Sequence, residues 1–247
     1  MSDFGYWSWA SDHIGSYEQI RHQIKELEIP FAEKKQQLIW RGTIKTNEHR
    51  KQLVKVTKGK AWADIKGVLW KNAAEVENGE QGKVVSLPDH CLYQFVIYTE
   101  GKPKDTPLLL PNQLPTMLTK SLPGVSYSGR GKYLQNCNSV VIMPKRKWIE
   151  PHHTLLDSSN HVEVKDDFSD LEEKIFSLLQ NQEKAERIAR NGVEVFRDRY
   201  LTPAAQVCYW RKMMANWASV GFMPELWGER GVDGKRVMRG TPFETFV

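Results

Sequence analysis

Leu38-Ile39-Trp40-Arg41-Gly42-Thr43 is a short apolar run that closes on a basic residue, a glycine and a hydroxyl. A run of this kind reads as a buried strand that stops at a turn. The next segment, from about Asn47 to Lys58, has helical spacing and carries Leu53 and Val56 inward. Strand, glycine turn and helix in succession open a βα unit.

The same alternation continues outward from this stretch. Lys83 to Leu87 and Gln94 to Thr99 are rich in Val, Ile, Tyr and Phe and read as strands. Ser139-Val140-Val141-Ile142 and His161 to Val164 read as two more. Ser16 with Gln19, and Ser169 with Glu172, have capping-box spacing. The first box opens a helix with Tyr17, Ile20, Ile24 and Leu27 on one face; the second opens one that buries Leu171, Ile175, Leu178 and Leu179. Gly129 starts a helix running through Lys132 to Asn136, and another spans Glu183 to about Arg199. Thr202 caps a last long helix, with Pro203 at its first position and Val207, Trp210, Met214 and Trp217 along one face. The expected fold is α/β with a largely parallel sheet. Two stretches stand apart from it: 102–123 is proline-rich without a period and reads as a long irregular loop, and the tail from Gly228 reads as loose.

The 247 residues are enough for a sizeable core, and 40% hydrophobic with 26% charged residues is ordinary for a globular chain. A net charge of +5 fits an anionic ligand or nucleic acid, with basic residues spread along the chain and one dense cluster, Lys145-Arg146-Lys147. Nine tryptophans supply apolar platforms with a single N–H donor, suited to cores and to sugar or base faces. No run approaches the roughly 18 apolar residues of a membrane span. The start, Met1-Ser2-Asp3-Phe4-Gly5, lacks the pattern of a signal peptide, so the chain as written is expected in the cytoplasm. Cys91, Cys137 and Cys208 form no Cys-x-x-Cys pair, which argues against a cysteine-built zinc site.

Two turns carry residues suited to an anion. Ser126-Tyr127-Ser128-Gly129-Arg130 offers small residues, hydroxyl donors and a guanidinium ahead of a helix. Trp40-Arg41-Gly42-Thr43 with Arg50 offers a second cradle, in which Arg41 is either a ligand for the anion or a structural arginine paired with a buried carboxylate. Tyr6-Trp7-Ser8-Trp9 is an aromatic cluster that either stacks on a sugar or plugs a domain edge. Adjacent His152 and His153 are expected to point apart, with no carboxylate at ligand spacing, so no metal site is read there.

In their order along the chain, Trp40-Arg41-Gly42, Asp89-His90-Cys91-Leu92-Tyr93, Gly124-Val125-Ser126-Tyr127-Ser128-Gly129-Arg130, Asn136-Cys137-Asn138-Ser139-Val140-Val141 and Cys208-Tyr209-Trp210 resemble glycosyltransferase family 90. That family includes protein O-glucosyltransferases and fungal capsule-associated xylosyltransferase-like proteins. The segments Asp3 to Trp9 and Phe196 to Pro203 are similar to its fungal branch. The resemblance implies a GT-B arrangement of two Rossmann-like domains, an inverting mechanism and a UDP-sugar donor without a metal, in the lumen of the endoplasmic reticulum or Golgi. It divides this chain into an aromatic cluster and linking helix (1–36), a Rossmann-like UDP-sugar-binding domain (37–218) with the insertion 102–123, and a tail (219–247). It places Thr43, Arg50, Val125, Ser126, Tyr127, Ser128, Gly129 and Arg130 on the donor, and Trp7, Ser8 and Trp9 on the acceptor or sugar side. It pairs Cys91 with Cys137 and leaves Cys208 to a partner upstream.

The resemblance also implies departures. The family's catalytic aspartate precedes anything matching Met1, so no catalytic residue is assigned and the chain is expected to be a truncated enzyme, or else a non-catalytic UDP-sugar-binding module or an inactive gene fragment. The stretch 102–123 interrupts the family pattern, and Gly131 stands where fungal relatives have leucine. A basic nucleic-acid-binding protein using Lys145 to Lys147 is the remaining class, and the readings above do not favour a nucleic-acid partner.

Overall fold

The computed structural model describes residues 4–8, 15–68, 82–101, 128–222, 225, 227–230 and 236–238. The first helix, α1 (Tyr17–Glu26), is capped by Ser16, whose hydroxyl takes the Gln19 amide while the Gln19 side chain takes the Ser16 amide. It buries Tyr17, Ile20 and Ile24; Leu27, expected on the same face, is instead the C-cap and is exposed. The central strand β1 (Lys35–Gly42) follows, then α2 (Glu48–Thr57), capped by Asn47, and β2 (Ala63–Gly67). The short helix α3 (Leu87–His90) leads into β3 (Tyr93–Ile97), and α4 (Gly131–Leu134) into β4 (Val140–Pro144). A 3-10 turn over Pro151–Leu155 precedes β5 (Val162–Val164), after which α5 (Leu171–Gln180) and α6 (Gln182–Gly192) close the unit through a π-helical stretch, Val193–Tyr200.

The five strands form one sheet in the order β2-β1-β3-β4-β5, and every neighbouring pair is parallel. Side chains alternate across it. Leu38, Trp40, Phe95, Ile97, Val140, Ile142 and Val164 join Leu53 of α2, Leu171, Ile175 and Leu178 of α5 and Ile188 of α6 on one face. Ile39, Val96, Tyr98, Val141 and Met143 meet Leu134 of α4 on the other. Burying each of these large side chains contributes about 1.5–3 kcal/mol. A third cluster joins α1 to Tyr133 and to Cys91 and Cys137, which are linked as a disulfide.

Two expected elements differ, and one strand was not expected. Lys83 to Leu87 forms no strand: Ser86 is the N-cap of α3, accepting from the Asp89 amide, with Pro88 in the first turn. Ser169 and Glu172 form no capping box, because Asp170 occupies the N-cap while Glu172 accepts from Lys60 and the Trp62 indole. Strand β2 turns only Ala63 and Ile65 towards the core, with Asp64 and Lys66 between and after them, and gives no run in the sequence. Gly131 is no defect: a Cβ there would stand 3.2 Å from the Tyr98 ring and 3.8 Å from His153 Nε2, so the glycine lets β3 and α4 approach.

Residues 207–247 make a second unit. It holds the body of α7 (Pro203–Val220), whose start is capped by Thr202, and a hairpin of β6 (Trp227–Arg230) with antiparallel β7 (Arg236–Met238), where the sequence reads as a loose tail. Val207, Met214 and Trp217 of α7 are exposed. Among the described residues no helix is long and apolar enough to cross a membrane.

Candidate functional site

In an open parallel sheet, ligands bind outside the carboxyl ends of the strands where the strand order reverses. Here the chain leaves β1 towards β2 on one side and returns to β3 on the other, so the reversal lies between β1 and β3. The residues that leave these two strands meet there. Asn47 caps α2 by accepting the Arg50 amide at 2.9 Å, and its side-chain NH2 donates to the carbonyls of Glu100 and Gly101 at 3.2 and 3.1 Å. The first turn of α2, with its positive dipole end, is thus tied to the loop after β3.

Two guanidinium groups converge on this point. Arg50 donates from Nε to the Glu100 carbonyl (3.1 Å), and from Nη1 to the Thr43 carbonyl (3.4 Å) and the Thr46 hydroxyl (3.3 Å); its guanidinium lies 5.7 Å from the centre of the Trp40 ring. Arg130 donates from Nη1 to the Arg41 carbonyl. Burial pushes both down to about 10, and for Arg130 the charge of Arg50 adds to the effect. Among the described residues no carboxylate lies within ion-pair distance of either group.

Arg41 has the structural role. Its guanidinium binds Asp64 Oδ1 at 2.8 Å and the carbonyls of Asp64, Trp40 and Lys83, while Tyr93 donates to Asp64 Oδ2 at 2.7 Å. Gly42 is required by the same packing, since a Cβ there would fall 2.7 Å from the Trp40 ring. Trp40 is fixed in turn by its indole N–H, which donates to the Thr99 hydroxyl at 3.0 Å.

Of the second cradle, Ser128, Gly129 and Arg130 lie at the entrance to α4, and Val125, Ser126 and Tyr127 are outside the described residues. The Ser128 amide donates to the Tyr98 phenol at 3.0 Å, and burial raises the Tyr98 hydroxyl well above its ordinary range. His90 is buried close by, with Nδ1 on the Ser86 carbonyl at 2.7 Å; burial first, and then the charge of Arg130, hold it down to about 4, so it is neutral.

The aromatic cluster divides. Tyr6 packs edge-on against Tyr17 and pairs its hydroxyl with His152 Nδ1 at 3.0 Å, whereas Trp7 is exposed and Ser8 forms a bridge to Ser16. The Tyr133 hydroxyl donates to the Gly5 carbonyl, which lays this segment along α4. Trp9 is outside the described residues.

His152 and His153 do not point apart. Their rings are 4.4 Å apart, and Glu150, His152 and His153 bring possible ligand atoms within 4.8 Å of one another, all buried. The cause is the 3-10 turn, whose three-residue period places Glu150 over His153. The Glu150 amide donates to His153 Nδ1 at 3.1 Å, which leaves the proton of the neutral ring on Nε2, towards the Glu150 carboxylate at 3.9 Å. That nitrogen would have to lose its proton before it could serve a cation. A separate cavity of about 590 Å³ opens beside β5, lined by both signs of charge, including Arg146, Asp157, Glu163 and Lys174; it contains none of the residues at the strand reversal.

A parallel sheet of this strand order, with helices on both faces, is the architecture of Rossmann-like domains. The sequence profile described as "Glycosyl transferase family 90" matches residues 1–106 and 110–224, and the chain belongs to that family. It is 24% identical over 227 residues to protein O-glucosyltransferase 1 of Rattus norvegicus, covering 86% of this chain and 50% of that protein. It is 26% identical over 167 residues to O-glucosyltransferase LpsA of Dichelobacter nodosus, covering 66% and 44%. The chain thus spans about half the length of the curated relatives it matches. Among solved structures, Anabaena Alr3699/HepE in complex with UDP and glucose aligns with a TM-score of 0.42 and 12% identity over 85% of this chain and 54% of that one.

Proposed function

We propose that the chain is the donor-binding part of an inverting glycosyltransferase that moves glucose or xylose from a UDP-sugar to a hydroxyl of a glycan or protein. The observation that carries the reading is the pair Arg50 and Arg130. Two half-buried guanidinium groups that feel each other's charge, with no described carboxylate within ion-pair distance of either, are costly unless an anion completes the site. A diphosphate between the α2 N-terminus and the entrance to α4 supplies that charge, and the fixed cations stabilise the leaving UDP in the role a divalent ion would otherwise take. Thr43 and 125–130 complete the proposed donor site, Trp7, Ser8 and Trp9 the acceptor or sugar side. The proposed division is 1–36, 37–218 and 219–247. No general base is assigned. The Cys91–Cys137 disulfide supports an oxidising lumen such as the endoplasmic reticulum or Golgi as the working compartment.

Calorimetric titration of UDP into the purified chain tests the reading. UDP binding is expected, weakened by about tenfold or more in Arg50→Ala and Arg130→Ala, as loss of a charge-assisted contact predicts. Folded protein that ignores UDP, or variants that bind it as tightly as the parent, would refute the assignment.

A further inference from the structure

The loop between β4 and the 3-10 turn, Lys145-Arg146-Lys147-Trp148-Ile149, leaves the sheet at the same edge as the residues after β1 and β3. Lys145, Lys147, Trp148 and Ile149 are exposed between the buried Pro144 and Glu150. Trp148 is 41% exposed and Ile149 68%, beside two lysines that have no carboxylate within ion-pair distance among the described residues. A merely solvated basic loop has no reason to present an indole and a branched aliphatic together with its charges.

The loop is also held. The amides of Lys147 and Trp148 both donate to Glu100 Oε1, at 2.7 and 3.1 Å, while the carbonyl of the same Glu100 accepts Arg50 Nε. One residue therefore ties the main chain that carries the exposed indole to the side chain that anchors the candidate donor site. Arg146 faces elsewhere, with Nη1 on Met143 Sδ at 2.9 Å and its side chain lining the cavity beside β5.

We propose that Lys145, Lys147, Trp148 and Ile149 form an acceptor platform for an anionic glycan, the indole stacking on the apolar face of a sugar ring and the lysines meeting its carboxylates. The proposal rests on the donor-site reading for its reaction, but not for its binding test. A polynucleotide would call on the same residue types and would need a longer basic track than five residues provide.

The test is titration of the 247-residue chain with a tetragalacturonate, with a neutral tetrasaccharide and with an oligouridylate, alongside UDP. The tetragalacturonate is expected to bind, and to weaken about tenfold in Trp148→Ala and in the double variant Lys145→Ala/Lys147→Ala. UDP affinity should be unchanged in both variants, which reports intact folding. Equal affinity of parent and variants for the tetragalacturonate overturns the platform. So does neutral sugar bound as tightly as the anionic one, tighter binding of the oligouridylate, or no tetragalacturonate binding by folded parent protein. Loss of the UDP signal alone would sink the donor reading and leave the platform result standing.

Discussion

The phenolic oxygen of Tyr98, the residue after β3, accepts the backbone N–H of Ser128 at 3.0 Å. One side chain of the sheet thereby fixes the entrance to α4, where Arg130 begins its reach towards the Arg41 carbonyl. The ring itself is buried against Gly131 and His153, so the hydroxyl cannot swing aside.

Tyr98→Phe keeps the ring and removes the acceptor. A partly buried amide left without a partner costs about 1 kcal/mol of stability, read by urea denaturation. Loosening of the Ser128–Arg130 turn should also weaken UDP several-fold in the titration described above. A stability loss with unaltered UDP affinity would mean that Tyr98 serves the fold alone.

Arg41 separates structure from ligand binding. Its partner Asp64 is largely buried, and Arg41→Met leaves that carboxylate facing an apolar side chain, a change worth about 3 kcal/mol. The double variant Arg41→Met/Asp64→Leu should recover a good part of this, since no lone charge remains. A single variant as stable as the parent would show that the Tyr93 hydroxyl suffices to hold Asp64.

The disulfide between Cys91 and Cys137 closes a loop across 46 residues, including 102–127, and joins the end of α3 to the end of α4. Chain-entropy estimates give about 4 kcal/mol for a closure of this length. Cys91→Ala/Cys137→Ala should lose a large part of the protein's stability, and thiol reductant should destabilise the parent but not the variant. Equal denaturation midpoints with and without reductant would refute this.

Acid should destabilise the fold before its carboxylates titrate. Burial holds His90 and His153 down to about 4, and also lowers His49, His152 and His161. Between pH 6.5 and 4 the unfolded chain binds protons that the folded chain does not, so stability is complete above 6.5 and falls as pH drops through that window. Each unit of depression is worth about 1.4 kcal/mol, so the loss by pH 4 amounts to several kcal/mol. Denaturation midpoints measured at pH 7 and pH 4.5 check the sign; a midpoint that holds or rises at pH 4.5 contradicts the buried, neutral histidines.

The sequence made the hydrophobic strands legible because Leu38-Ile39-Trp40 and Val140-Val141-Ile142 lie in the middle of a doubly covered sheet. Strand β2 escaped because it is an edge strand with Asp64 and Lys66 in it, held by backbone pairing with β1. Of two identical capping-box spacings one formed and one did not, since Asp167 takes the Ser169 amide and Lys60 and Trp62 take Glu172. At the candidate site Arg50 and Arg130 were readable as charges beside turns. The distant partners of Asn47, Tyr98 and Glu100 were not, because these side chains act on main-chain groups far away in sequence, and no local spacing marks such partners. Glu150 was missed beside His153 because the alignment depends on a 3-10 rather than an α-helical period.

Gly42 joins the fold to the proposed binding site. A Cβ there would stand 2.7, 3.1 and 3.2 Å from three atoms of the Trp40 ring, closer than carbon atoms pack. The ring cannot retreat, being buried, pinned through its indole N–H to Thr99 and packed on Leu38, Leu53 and Phe95 in one core cluster. Gly42→Ala must therefore either displace the backbone of β1 at its pairing with Gly67 or tilt the indole. Overpacking of this kind costs about 1–3 kcal/mol. Because Arg50 lies over the same ring, a tilt also moves the guanidinium, so UDP affinity should fall together with stability. Replacing Gly42 and Trp40 together, as Gly42→Ala/Trp40→Phe, makes room for the methyl group and should restore stability more than it restores UDP binding, because the larger indole face under Arg50 is gone. If Gly42→Ala lowers stability while UDP binds as in the parent, the Trp40–Arg50 contact has no part in holding the ligand.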